Sequence, residues 1–153
     1  MQSESTRTAD PGKPPPRWLL KTVTRIHVLA NRASGGRWFN TLGEWDVCFV
    51  TMTGARSGRE LTIPLMHVPH GEGVLLVGSQ GGAPKDPVWV RNLLKHPEIE
   101  VRHRGRALSL RARLASHEEK PALWPVCDRH YPPFADYRRR TDRDIPVFVC
   151  EPR

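Results

Sequence analysis

The sequence predicts a mainly β, α+β chain: a small, mostly antiparallel barrel of about six strands, with a helix before it and further helices at its periphery. Three observations predict it. Short runs rich in β-branched and aromatic residues recur along the chain, as in Trp45 to Thr53 and Ile145 to Glu151. Glycine-bearing turns separate them, at 54–58, at His70-Gly71-Glu72-Gly73 and at Arg104-Gly105-Arg106. Helical periodicity is confined to a few stretches, so strands and helices do not alternate as a doubly wound sheet requires.

Each element has its own warrant. The first residues, to Pro16, are polar, proline-rich and without periodicity, and are expected to be a disordered tail over 1–17, with a single domain over 18–153. Trp18 to Arg32 reads as a helix. Leu19, Leu20, Val23, Ile26 and Ala30 recur at helical spacing, while Lys21, Arg25 and Arg32 lie off that face. Such a basic amphipathic helix suits packing on the barrel or docking on an anionic membrane. Trp45 to Thr53 is the first strand, and Arg59 to Val68 returns as the second. Pro64 inside it implies an edge, a bulge or a position facing a ligand. Residues 74–79 form the third strand and 86–96 a helix, ending before Pro97. Glu98 to Arg102 and Ala107 to Ala115 form a hairpin of alternating, half-buried strands. Ser116 and Glu119 have capping-box spacing for a helix reaching about His130. Residues 131–143 are expected as a loop, and Ile145 to Glu151 as the last strand.

Composition narrows the function. At 153 residues the chain can bury a sizeable core. No apolar run approaches a membrane span and there is no apolar signal-peptide core, so a cytoplasmic protein is expected, with peripheral contact at the inner face of the membrane open. Cys48, Cys127 and Cys150 are odd in number and lack C-x-x-C spacing, which suits reduced thiols. A formal charge of +8 and a pI near 10.1 point to an anionic partner. No nucleic-acid motif accompanies the charge, so nucleic acid is not the expected partner. There is no Walker, Rossmann or G-x-S-x-G pattern. His67 and His70 are not placed to converge on a metal, and no metal is expected.

The stretch around which the rest is organised is Gly78-Ser79-Gln80-Gly81-Gly82-Ala83-Pro84-Lys85-Asp86-Pro87-Val88-Trp89. It follows the apolar run Val74–Val77 and leads into a helix, with Asp86 as expected N-cap and Pro87 as first helical residue. A strand, a glycine-rich loop and a helix start can cradle an anion. The same residues can equally make a plain strand-to-helix turn. Arg56 and Arg59 in the first turn, Lys85 in the loop and Arg91 on the helix cluster at the same candidate site, which favours the anion.

Further motifs occur in order: Thr53-Gly54-Ala55-Arg56-Ser57-Gly58, the 78–89 loop, Asn92-Leu93-Leu94-Lys95-His96-Pro97, Tyr131-Pro132-Pro133-Phe134-Ala135-Asp136-Tyr137, and Asp144-Ile145-Pro146 opening the last strand. Together they resemble the deazaflavin-dependent nitroreductase family, the F420-dependent oxidoreductases of actinobacteria, over roughly residues 18–152. The resemblance implies a split β-barrel and coenzyme F420 as cofactor, with FMN less suited. It implies hydride transfer from C5 of the reduced deazaflavin to a small electron-poor acceptor: a quinone, enone or nitro compound. It places the cofactor against Ala55, Arg56, Ser57, Ile63, Pro64, Leu65, Val77, Ser79, Gln80, Lys85, Val88, Trp89, Arg91 and Asn92. It puts the acceptor beside Phe134, with Tyr131 and Tyr137 as catalytic hydroxyls. Two positions depart from the family pattern, since Leu61 stands where members carry Arg and Gln80 where the best-known carry Lys. A non-catalytic binder of F420 or lipid, or an FMN-dependent barrel, is the alternative.

Overall fold

The computed structural model describes residues 17–153, with side chains from residue 21 onward. The expected tail falls outside these residues, except for Arg17, which begins the first helix. In chain order the elements are α1 (Arg17–Ala33), β1 (Thr41–Leu42), β2 (Trp45–Thr53), β3 (Glu60–Met66), β4 (Val68–His70) and β5 (Gly73–Val77). A 3-10 turn at Gln80–Gly82 follows. Then come α2 (Val88–Lys95), β6 (Glu98–His103), β7 (Arg106–Leu114), α3 (Lys120–His130), α4 (Pro133–Arg139) and β8 (Val147–Pro152).

The strands form one antiparallel sheet in the order β3-β2-β6-β7-β8-β5-β4, with β1 as a short hairpin arm on β2. β3 and β4 are one run broken at His67. Its first half pairs with β2 and its second half with β5, so a single bent strand joins the two ends of the sheet and rolls it into a barrel. Among the described residues no ladder joins β3 directly to β5, and the barrel is open along that seam. Pro64 stands at this edge, where a residue without an N–H is tolerated.

Alternation along the strands builds two apolar clusters. Cys48, Val50, Met52, Val74, Leu76, Val101, Leu110 and Phe148 fill the barrel. Val68, Leu75, Val147 and Val149, from the opposite faces of β4, β5 and β8, pack with Leu123, Cys127 and Phe134 of α3 and α4. The three cysteines are free and buried. Burial pushes each thiol up to about 12, which keeps them protonated and inert.

Several expectations are corrected. Residues 131–143 are not all loop: α4 forms there, with Pro133 at a first-turn position that needs no N–H donor. The second helix begins at Val88 with Pro87 as its extended N-cap residue, because the Asp86 carboxylate is taken by Arg143 at 2.6 Å instead. Among the described side chains of the apolar row of α1, Val23 and Ile26 do not face the barrel and Ala30 is half-buried. Asn31 is buried and His27 and Val28 are half-buried, whereas Val23, Ile26 and Leu29 are 42%, 57% and 65% exposed. The expected capping box does form: Glu119 N–H donates to Ser116 Oγ at 3.2 Å and Ser116 N–H to Glu119 Oε2 at 2.8 Å.

Candidate active site

Two pockets flank the first turn of α2, one on each side. The outer one begins at the β2–β3 turn. Gly54 N–H donates to Arg59 O at 2.8 Å and Gly58 N–H to Gly54 O at 2.9 Å, which closes the turn. A Cβ on Gly54 would lie 2.6 Å from Ser57 Oγ, so a larger residue there would push the Ser57 hydroxyl aside. The turn is then tied to α2. Ala55 N–H donates to Asn92 Oδ1 at 2.9 Å, and Lys95 Nζ donates to Ala55 O at 2.7 Å. This presents Ala55, Arg56 and Ser57 to a pocket of about 260 Å³, with Gly54, Leu61, Val88, Arg91 and Asn92 completing it. Arg56 and Arg91 are exposed. Among the described residues no carboxylate lies within 4.0 Å of Arg56, Arg59, Lys85 or Arg91. By contrast, Arg102 of β6, Arg111 and Arg113 of β7, and Arg153 just after β8 each have one.

The inner wall is the glycine-rich loop, and one side chain that sequence reasoning did not single out holds it. Arg143 donates from Nε to Ala83 O at 2.7 Å, from Nη1 to Gly78 O at 3.1 Å and from Nη2 to Ser79 O at 2.7 Å. Its Nη1 also meets Asp86 Oδ1 at 2.6 Å. A planar guanidinium can serve four acceptors at once, where an ammonium could not hold this spread. Gln80, Gly81 and Gly82 follow at φ of 44°, 64° and 78°. Gly82 also presses on α4, since a Cβ there would lie 2.7 Å from Tyr137 O.

Between this loop and the β3 edge lies a cleft of about 310 Å³ along the barrel seam. Pro64, Leu65, Met66, Val77, Ser79, Gln80, Pro87 and Trp89 line it, and Tyr131, Phe134 and Tyr137 roof it. The roof is built by mutual packing. Tyr131 meets Phe134 edge-on at 4.8 Å and Trp45 at 5.7 Å. Phe134 is buried and serves as the pivot of the cluster. The hydroxyls of Tyr131 and Tyr137 lie 3.0 Å apart. Burial, and then the hydrogen bond from its neighbour, push the Tyr131 phenol up to about 12, so it keeps its proton at neutral pH.

The structure therefore sorts the expected residues. Pro64, Leu65, Val77, Ser79, Gln80, Trp89, Tyr131, Phe134 and Tyr137 share the cleft, while Ala55, Arg56, Ser57, Val88, Arg91 and Asn92 share the outer pocket. Ile63 and Lys85 line neither. Ile63 packs on the barrel core with Leu61 and Leu65, and Lys85 is exposed in the loop. Met66, Pro87 and Arg143 were missed. Pro87 lies within the 78–89 motif and Met66 within the expected second strand, so both could have been found; Arg143 stands directly before the Asp144-Ile145-Pro146 motif, but its contacts with the glycine-rich loop are not legible there. Asp46, His67 and His103 also come together, with ligand atoms within 4.8 Å of one another. The two imidazoles stack at 3.6 Å and 16°, so their in-plane lone pairs lie in two separate, nearly parallel planes, a poor arrangement for meeting at one ion.

A barrel split along one seam, with an apolar cleft in the seam and a glycine-rich loop beside it, is the architecture of the split-barrel cofactor-dependent reductases. Comparison with known proteins narrows this. The family model described as F420H(2)-dependent quinone reductase matches residues 23–152. A relative from Mycobacterium tuberculosis named as an F420H(2)-dependent quinone reductase is 29% identical over 145 residues, covering 90% of this chain and 97% of the relative. A solved structure of an F420-H2 dependent reductase is 38% identical, with a TM-score of 0.63, covering 69% of this chain and 93% of its own. Another, described as a domain-swapped dimer, is 33% identical with a TM-score of 0.68, covering 90% of this chain and all of its own. The chain belongs to the F420H(2)-dependent quinone reductase family; it is an oxidoreductase and its cofactor is coenzyme F420.

Proposed function

We propose that F420 lies across both pockets, ring inward and tail outward, and that the chain reduces a quinone bound under the aromatic roof. The carrying observation is the set of unpaired cations. Arg56 and Arg91 face a pocket whose lining holds no carboxylate, and among the described residues neither has an ion-pair partner, unlike Arg102, Arg111 and Arg113 of β6 and β7. F420 carries a phosphodiester and a polyglutamate tail, the anions that such cations hold. The flat walls of the cleft, Leu65, Met66, Val77 and Trp89, suit a planar ring. Leu61 lines the outer pocket where family members carry Arg, and Arg91 in the same pocket offsets that charge.

When bound, reduced F420 supplies the hydride. The chain's own residues do the rest. Pro64, Trp89 and Phe134 keep water from the ring face. The Tyr131–Tyr137 pair offers a hydrogen bond to the acceptor oxygen that gains negative charge, one hydroxyl donating to the other and the second free to donate onward.

A fluorescence titration with F420, with FMN in parallel, tests the placement. Wild type should prefer F420. Arg56→Ala should weaken F420 about tenfold, or about 1.4 kcal/mol, and flatten the salt dependence. An unchanged affinity in a folded Arg56→Ala variant refutes the tail position.

A second surface has its own observation. Val23, Ile26, Leu29, Trp38, Phe39 and Leu42 are exposed, with Lys21, Arg25 and Arg37 on the same segments. No helix among the described residues is long and apolar enough to cross a membrane. We infer peripheral docking of this face on anionic lipid, with apolar side chains in the interface and cations at the headgroups. Vesicles containing anionic lipid should sediment the full chain, and Ile26→Asp with Leu29→Asp should abolish it. Equal sedimentation of both would remove the proposal.

A further inference from the structure

The unusual feature of the glycine-rich loop is what happens to its carbonyls. In a trans peptide the N–H points opposite to the C=O of the same unit, and the described chain has no cis peptide. Arg143 takes the Gly78 carbonyl at 3.1 Å, so the N–H of that unit, on Ser79, faces the other way. It takes the Ser79 carbonyl at 2.7 Å, so the Gln80 N–H is turned likewise. Ser79 and Gln80 both line the cleft. Neither N–H has a hydrogen-bond partner among the described residues; Ser79 is only 8% exposed, while Gln80 is exposed at the cleft mouth. A buried donor without a partner is costly, and a ligand oxygen would satisfy it.

We propose that Arg143 is a positioning residue for the reaction: by holding the Gly78 and Ser79 carbonyls it aims the Ser79 and Gln80 N–H groups into the cleft, as a two-donor site for a carbonyl oxygen of the deazaflavin ring. The inference rests on the placement of the ring in that cleft. Arg143 is not itself an anion site. Its charge is matched by Asp86 at 2.6 Å and its side chain is 14% exposed. The geometry needs the guanidinium fork. Lysine would keep the charge but could not hold both carbonyls at these positions.

The test measures binding of F420 and of its tail-less deazaflavin chromophore by fluorescence, together with the visible absorption band of the bound chromophore and the Tm of each variant. Arg143→Lys and Arg143→Ala should each lose about tenfold in affinity for both ligands, and the bound band should move toward its position in water. Arg56→Ala should lose affinity for full F420 alone. A merely structural role for Arg143 would lower Tm while leaving the band of the bound chromophore in place, and that result overturns the proposal. So does wild-type affinity for the chromophore in Arg143→Lys, which decides the matter if Arg143→Ala does not fold. Wild type that binds neither ligand overturns the cleft placement and this inference with it, whereas failure in the Arg143 variants alone leaves the placement standing.

Discussion

Gly81→Ala and Gly82→Ala form a matched pair that isolates the contact between the glycine-rich loop and the aromatic roof. Both glycines have positive φ, 64° and 78°, so both substitutions meet the left-handed penalty of about 1–2 kcal/mol. Both also restrict the unfolded chain equally, which returns about 0.4–1 kcal/mol in each case. These contributions cancel in the difference. What remains is space. A Cβ at Gly81 meets nothing within 4 Å, whereas one at Gly82 would lie 2.7 Å from Tyr137 O and 3.0 Å from Arg140 Cβ. Two of the atoms crowding it belong to the Tyr137 backbone, so relief requires α4 to move. Overpacking of this kind costs about 1–3 kcal/mol. At about 2–4 °C per kcal/mol for a chain of this size, Gly82→Ala should melt about 2–12 °C below Gly81→Ala. Thermal unfolding by circular dichroism reads that difference. Turnover should follow it, because shifting Tyr137 shifts the roof, so Gly82→Ala should lose kcat while Gly81→Ala keeps most of it. Equal melting temperatures and equal turnover would refute the reasoning that loop and roof act as one unit.

Tyr137→Phe and Tyr131→Phe should each lower kcat with a quinone on the order of tenfold, with F420 affinity unchanged. Undiminished turnover in both would assign the proton to water and leave the two rings as wall. His67 makes folding pH-dependent: burial and the neighbouring His103 pull its pKa from 6.5 down to about 4, against an opposing pull from Asp46, with His130 and Arg104 adding to the downward shift. The unfolded chain therefore binds a proton between those values that the folded chain refuses. Stability is full above about pH 6.5 and is lost as pH falls toward about 4. His67→Phe, which keeps a ring against His103, should flatten the urea-midpoint profile across that window; a profile as steep as wild type would mean that other groups carry it.

What the sequence determined is local and periodic. Alternating apolar residues made the strands legible, and Arg104-Gly105, with both residues at positive φ, set the β6–β7 turn. Ser116 and Glu119 announced their capping box, and the glycine-rich loop announced an unusual connection between β5 and α2. Pro64 marked an edge. Most of the residues that line the two pockets lie inside ordered motifs and could be named in advance. The tertiary structure decided everything that depends on which distant segments meet. The break at His67, which lets one strand pair with β2 and then β5, opens the seam that becomes the cleft, and neither pairing is visible in the strand itself. Asp86 reads as a helix cap until Arg143, 57 positions later, takes its carboxylate. The same distance hid Arg143, since its role consists wholly of contacts with a loop that its own neighbours in sequence do not describe. The α1 helix misled for a related reason. Periodicity reports which residues share a face, but the barrel selects the face that is covered, and here it covers the row bearing Asn31 and leaves Ile26 and Leu29 outside.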